Sequence, residues 1–252
     1  MIMLATPTKT KIAGHHEIIS FDNQMDARKY LADLITHELQ TAISLRGQAV
    51  WLAAGGGTPK PLYEAVAART LNWVKVKLVV LDERFVPLSS PQSNEAMLRE
   101  IFGNGASAKQ EIVGLVGDCS DIGKNAKSAE EALLTLGGGA APITDFALMG
   151  MGPDGHYASI FPQHPCNATI YQSQNIVVPI SPAKIAELEP KIARLTLTPH
   201  VINKCRKVVF YITGQVKLDV LTAMANQTDP FISPIGAYLG QAPAPVTFVW
   251  AP

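Results

Sequence analysis

The stretch Ala147-Leu148-Met149-Gly150-Met151-Gly152-Pro153-Asp154-Gly155-His156-Tyr157-Ala158-Ser159-Ile160-Phe161-Pro162 decides how this chain is read. A short apolar run enters a loop with three glycines, an aspartate and a histidine. Apolar runs that end in turn residues are buried strands. Gly150, Gly152 and Gly155 free the backbone and allow a ligand to come close. Asp154 and His156 therefore sit just past the carboxyl end of a strand, where open α/β sheets bind ligands. Histidine suits proton transfer near neutrality. The plain alternative is a glycine-rich turn carrying a surface histidine.

Composition narrows the classes around this loop. The chain has 252 residues, of which 47% are hydrophobic, so a sizeable core can be buried. Basic and acidic residues balance at 21 each, which argues against a nucleic-acid partner but leaves room for a local anion pocket. Cys119, Cys166 and Cys205 lie far apart with no zinc-type spacing, and a reduced, cytoplasmic setting is expected. Residues 1–14 lack the apolar core of a signal peptide, and Thr8-Lys9-Thr10-Lys11 reads as a frayed or edge segment. No apolar run reaches the ~20 residues of a membrane helix, so no membrane partner is expected. His15-His16 is not expected to bind metal, because neighbours on a strand face opposite ways.

Taken in order, the chain alternates strands and helices. Leu31, Leu34, Ile35, Leu39, Ala42 and Ile43 give helical spacing over 26–45, with Asp22 or Asn23 as cap and Gly47 as stop. Residues 49–54 form a buried strand, Gly55-Gly56-Gly57-Thr58-Pro59 a loop, and 60–69 a helix. A strand, glycine loop and helix present free N–H groups and a helix dipole to an anion. Thr58 is expected to cap that helix and to donate its hydroxyl. A tight turn needing glycines for geometry is the alternative, and the phosphate site is favoured.

A second strand over 75–81 ends in Asp82-Glu83-Arg84. Three charges there are costly unless solvated or used. Asp82 fits a role orienting a base or binding a sugar hydroxyl, and Arg84 one reaching a phosphate. A solvated turn remains an equal alternative. Ser93 or Asn94 caps the next helix, and Asn94 is placed to touch a ligand. A short strand is expected at 112–116, a helix at 128–136 with Gly137-Gly138-Gly139 as a linker, and a strand at 145–149. Strands at 176–180, 194–198 (half-buried) and 208–212, a helix at 215–226 and a strand at 246–250 complete the pattern. Lys217 in a first helical turn opposes the dipole at a cost of ~0.3–1 kcal/mol, understandable if it shares an anion with that terminus. A solvated lysine is the alternative. The alternation implies an α/β fold: a three-layer, mostly parallel sheet with helices on both faces.

Together these loops resemble the 6-phosphogluconolactonase family, whose superfamily includes glucosamine-6-phosphate deaminase. Residues 54–59 resemble its glycine-rich phosphate loop, and residues 81–87 with Ser93-Asn94 its D-E-R-x-V-P…S-N signature. Residues 150–156 resemble G-M-G-x-D-G-H, residues 194–198 R-I-T-L-T, and residues 214–217 G-x-x-K. The match covers nearly the whole chain in order. It implies one domain over 1–252 with the Rossmann-like, deaminase-like fold, and hydrolysis of 6-phospho-D-glucono-1,5-lactone without metal or cofactor. A monomer is expected. By position, His156 becomes the general base that activates water, with Asp154 and Asp82 orienting groups around it. Gly56, Gly57, Thr58, Asn94, Arg84, Arg194 and Lys217 become substrate and phosphate contacts. Two departures stand out: Tyr157 where the family favours threonine, and Gly57 where serine is common.

The chemistry agrees. A lactone carbonyl needs a positioned water, a base near neutral pKa and an oxyanion donor, but no covalent nucleophile. Ser159 lacks the G-x-S-x-G setting of one. The deaminase-like loop carries a glutamate a few residues past its histidine, where this chain has Phe161. A sugar-phosphate sensor is disfavoured by the short, charge-balanced segment before the first strand, and a nicotinamide dehydrogenase by the missing dinucleotide fingerprint.

Overall fold

The computed structural model describes residues 7–182 and 192–252. Residues 1–6 of the N-terminal segment lie outside them. The rest of that segment forms an edge hairpin, β1 (Thr8–Ile12) with β2 (His16–Ser20). The exposed threonines and lysines of β1 suit an edge strand, where charge discourages further pairing.

α1 (Gln24–Arg46) starts where Asn23 accepts a hydrogen bond from Asp26 N at 2.9 Å. It ends at Gly47, whose φ of 77° lets its N–H close on Ile43 O. Leu31, Ile35, Leu39 and Ala42 form its buried stripe. β3 (Ala49–Ala53) and α2 (Lys60–Ala67) follow, then β4 (Val76–Val80) and β5 (Asp82–Arg84). Next come α3 (Asn94–Phe102), β6 (Glu111–Val113), α4 (Ile122–Leu136) and β7 (Phe146–Met149). The last third carries α5 (Asn167–Gln172), β8 (Val177–Ile180), β9 (Arg194–Leu197), α6 (Pro199–Ile202), β10 (Val208–Thr213), α7 (Gln215–Met224), α8 (Pro234–Gln241) and β11 (Thr247–Ala251).

Eight strands make the central sheet in the order β1-β2-β11-β10-β7-β3-β4-β6, and every pair except β1–β2 is parallel. The near-continuous apolar character of β3, β7 and β10 follows from cover on both faces. Connections β2–β3, β3–β4 and β4–β6 move one way across the sheet, and β6–β7, β7–β10 and β10–β11 move the other way. Right-handed crossovers then put α1–α3 on one face and α4, α7 and α8 on the other. Side chains agree: Trp51 packs edge-on against Tyr63 and Phe102 of α2 and α3, whereas Phe210 meets Tyr238 of α8. The adjacent strands β3 and β7 lead in opposite directions, so the crevice past their carboxyl ends is the topological switch point.

Several expectations need correction. Strands 176–180 and 194–198 do not extend the parallel sheet. β8 and β9 pair antiparallel with β5 in a separate three-stranded sheet. Asp82-Glu83-Arg84 is therefore a strand and not a solvated turn. β9 is buried along its whole length instead of half-buried. α4 begins at Ile122, capped by Asp121 and not near Ser128. Gly137 closes α4, so the triple glycine follows a helix as expected.

His16 is fully buried and ties the edge to the core. Its Nε2 is 2.9 Å from Leu239 O, and its Nδ1 accepts from Val246 N at 3.0 Å. Those partners require the neutral imidazole with the proton on Nε2. Burial holds the group below its usual value, with the Leu239 contact acting the other way. An unfolded chain thus takes a proton at His16 before the folded one does, and this part of the stability is full above the unfolded pKa and lost as pH falls through the folded one. We expect the difference in melting temperature between wild type and His16→Asn to be largest near pH 8 and to shrink towards pH 5. A constant difference would contradict this.

Candidate active site

A cavity of about 300 Å³ opens at the switch point. The loop after β3 forms one wall and the loop after β7 the other. β5 and β9 of the small sheet supply the floor. Gly56, Gly57, Thr58, Asp82, Arg84, Asn94, His156, Arg194 and Lys217 all line it. Asp154, the remaining residue singled out from sequence, stands behind His156 instead: its Oδ1 accepts from His156 Nδ1 at 2.5 Å. This contact puts the proton on Nδ1 and leaves the Nε2 lone pair free. Burial pushes the Asp154 carboxyl up, but the imidazole outweighs it and holds the group below its usual range.

The pair has a specific seat. A Cβ on Gly152 would lie 2.2 Å from His156 Nδ1 and Cε1 and 2.5 Å from Asp154 Oδ1. Only glycine lets imidazole and carboxylate rest on the loop backbone. Beyond His156 the chain turns tightly, Ile160 N donating to Tyr157 O, with Ala158 at a φ of 48°. The turn sends neighbours opposite ways. Tyr157 enters the core between Phe210 and Tyr238, and its hydroxyl meets Tyr171 at 2.9 Å. Ser159 points to the cavity floor and donates to Asp82 Oδ2 at 2.6 Å. Tyr157 is accommodated by the core and takes no part in the cavity wall.

The β5 segment builds the second half. Glu83 was passed over in the sequence, yet its buried carboxylate accepts from Arg84 N, Asn94 N, Glu95 N and Ser93 Oγ at 2.7–2.9 Å. Burial pushes this carboxyl up while the four donors pull it back. It holds the amino end of α3, where negative charge also meets the helix dipole. Asn94 is fixed in turn: it donates to Asp82 O and accepts from Arg84 Nη1, both at 2.7 Å. A Cβ on Gly55 would fall 1.9 Å from Asn94 Oδ1, so the glycine loop and the Asn94 amide interlock. Thr58 does not cap α2. Pro59 occupies that position and no side chain closes the helix.

Arg194 lies beside Asp82, with Nη1 3.8 Å from Oδ2. Its guanidinium sits 5.1 Å over the Phe161 ring, which is 4.6 Å from the His156 ring. Lys217 enters from the first turn of α7. Burial draws its ammonium below the usual value and the Asp154 charge opposes this. The contacts made by Ser159, Glu83, Gly55 and Phe161 in the site are what the sequence did not reveal. Glu83 was the most legible of them, as a charged residue inside a strand-end triplet. The cavity thus combines three cationic side chains, glycine-loop N–H groups and one imidazole with a free lone pair. Such donors suit an anionic, oxygen-rich ligand.

Residues 22–248 match the family model described as glucosamine-6-phosphate isomerases/6-phosphogluconolactonase. The chain belongs to this family. Among relatives, a 6-phosphogluconolactonase of Mesorhizobium japonicum is 36% identical, covering 88% of this chain and 90% of its own. One from Caulobacter vibrioides is 32% identical over 92% and 96%. A solved 6-phosphogluconolactonase of Shewanella baltica superposes with a TM-score of 0.87 at 28% identity, covering 96% of this chain and all of that one. Family membership accounts for the doubly wound sheet, with its switch point between β3 and β7.

The Gly152 seat can be tested directly. In Gly152→Ala the added methyl displaces the imidazole from Asp154, and the downfield proton resonance of His156 Nδ1 is expected to disappear while the melting temperature changes little. Persistence of that resonance would contradict the geometry.

Proposed function

We propose that this protein hydrolyses 6-phospho-D-glucono-1,5-lactone to 6-phospho-D-gluconate, the step that opens the lactone in the oxidative pentose phosphate pathway. The observation that carries the reading is an imidazole, oriented by Asp154, in a cavity that Arg84, Arg194 and Lys217 also line. Relatives that share nearly the whole chain are named for this activity.

His156 Nε2 takes a proton from a water, whose oxygen attacks the lactone carbonyl carbon. The carbonyl electron pair moves onto oxygen. When the tetrahedral species collapses, the ring C–O bond breaks and the leaving oxygen takes the proton back from His156. The acid product then ionises. Asp154 stabilises the imidazolium that forms between the two transfers. Gly56, Gly57, Thr58 and Lys217 hold the phosphate, using loop N–H groups and the amino ends of helices. Arg84 and Asn94 meet sugar oxygens. Asp82, fixed by Ser159 and Arg194, orients the reacting end of the ring. Binding energy from the remote phosphate positions the carbonyl for attack.

Two further observations support this reading. Phe161 stands beside His156, where an amino-sugar deaminase would need a carboxylate to tune that histidine. The three cysteines are unpaired, in keeping with the reducing cytoplasm. No described helix is long and apolar enough to cross a membrane.

The test is a coupled assay with an enzyme-free blank. The phosphorylated lactone is expected to turn over far faster than gluconolactone, and glucosamine 6-phosphate is expected to release no ammonia. Rapid ammonia release would instead assign a deaminase. His156→Ala is expected to lower kcat by about 10²–10⁴-fold with KM little changed. Lys217→Ala is expected chiefly to raise KM, and an unchanged KM would remove it from the phosphate site.

A further inference from the structure

We infer that Arg194 is the oxyanion donor of the reaction, gripping the lactone carbonyl oxygen and then the product carboxylate, while the phosphate is held elsewhere. This rests on the lactonase reading and adds a role to a residue that sequence resemblance places only among general substrate contacts.

The Arg194 side chain is only 7% exposed, yet it lines the cavity. A guanidinium carries five N–H donors in a planar fork. Among the described residues Arg194 makes a single hydrogen bond, a long one of 3.5 Å from Nη1 to Ser159 Oγ. Asp82 supplies compensating charge at 3.8 Å without taking up the fork. Arg84 is tied by its Nη1 to Gln92 O and Asn94 Oδ1 at 2.7 Å each, and its buried Nε lacks a partner among the described residues. A buried cation with most of its donors uncommitted is arranged for an anionic partner that comes and goes.

Its neighbours place that partner. Asp154, His156, Phe161, Arg194 and Asp82 form a chain of contacts, with successive separations of 2.5, 4.6, 5.1 and 3.8 Å. Lys217 has Asp154 as its charged neighbour, whereas the charged neighbour of Arg194 is Asp82. An elongated substrate with phosphate at one terminus and a reacting carbonyl at the other fits this layout, with water delivered between. Phe161 under the guanidinium fixes the plane of the fork. As water adds, the carbonyl π pair becomes a full negative charge on oxygen, and the fork meets it there. After ring opening the same fork takes the carboxylate in a bidentate pair.

Two ligands isolate this contact without turnover. 6-Phosphogluconate and glucitol 6-phosphate differ only in a carboxylate against a hydroxymethyl group. Calorimetry on the wild-type protein is expected to show tighter binding of 6-phosphogluconate. Arg194→Gln is expected to erase that preference, leave glucitol 6-phosphate binding within about twofold, and lower kcat by about 10²–10³-fold. Arg194→Lys keeps a cation beside Asp82, so the fold is kept, and should retain glucitol 6-phosphate binding while losing part of the carboxylate preference. An unchanged preference in both variants overturns the inference. So does parallel weakening of both ligands, which would put Arg194 on the phosphate. If the wild type binds both ligands but does not open the lactone, the lactonase reading fails, while the carboxylate preference still reports on Arg194.

Discussion

The hydrogen bond between Asp154 and His156, seated on the bare Cα of Gly152, is the contact around which the site is arranged. It fixes the tautomer and aims the other ring nitrogen into the cavity. It can exist only because the loop after β7 offers a surface with no side chain. The same loop then reverses sharply at Ala158, so that Tyr157 anchors it in the core while Ser159 reaches the opposite wall. Rigidity behind the loop and precision in front of it are two results of one turn.

The large sheet supplies the crevice, and the small sheet supplies much of the chemistry. β3 and β7 are neighbours whose connections depart in opposite directions, which opens space past their ends. β5 and β9 pair across the floor of that space and bring Asp82, Arg84 and Arg194 together. Glu83 fastens this sheet to the start of α3 through three hydrogen bonds and so sets Asn94 against the glycine loop. Charge is buried on the floor as a compensated set. An isolated Asp82 or Arg194 there would cost several kcal/mol.

The sequence was most legible where function is written in contiguous loops. The glycine loop at 55–57, the triplet at 82–84, the 150–156 loop and Lys217 could each be read as strand-end or helix-start chemistry, and all meet at one cavity. It was least legible where pairing is long-range or burial is two-sided. β9 alternates polar and apolar residues, the signature of a half-exposed strand. Yet Thr196 accepts from Ser159 N and Arg194 lines the cavity, so its polar face is buried and satisfied. α8 is buried nearly all round and shows no amphipathic stripe to find. Gly123, Lys124 and Asn125 blurred the first turn of α4, although Asp121 is a good cap.

The most direct test is a crystal structure of the protein with bound 6-phosphogluconate. The phosphate should lie on the N–H groups of residues 56–58 and on Lys217, with C1 within reach of His156 Nε2 and the carboxylate against Arg194. A phosphate away from that loop, or a C1 beyond the reach of the imidazole, would contradict the central claim.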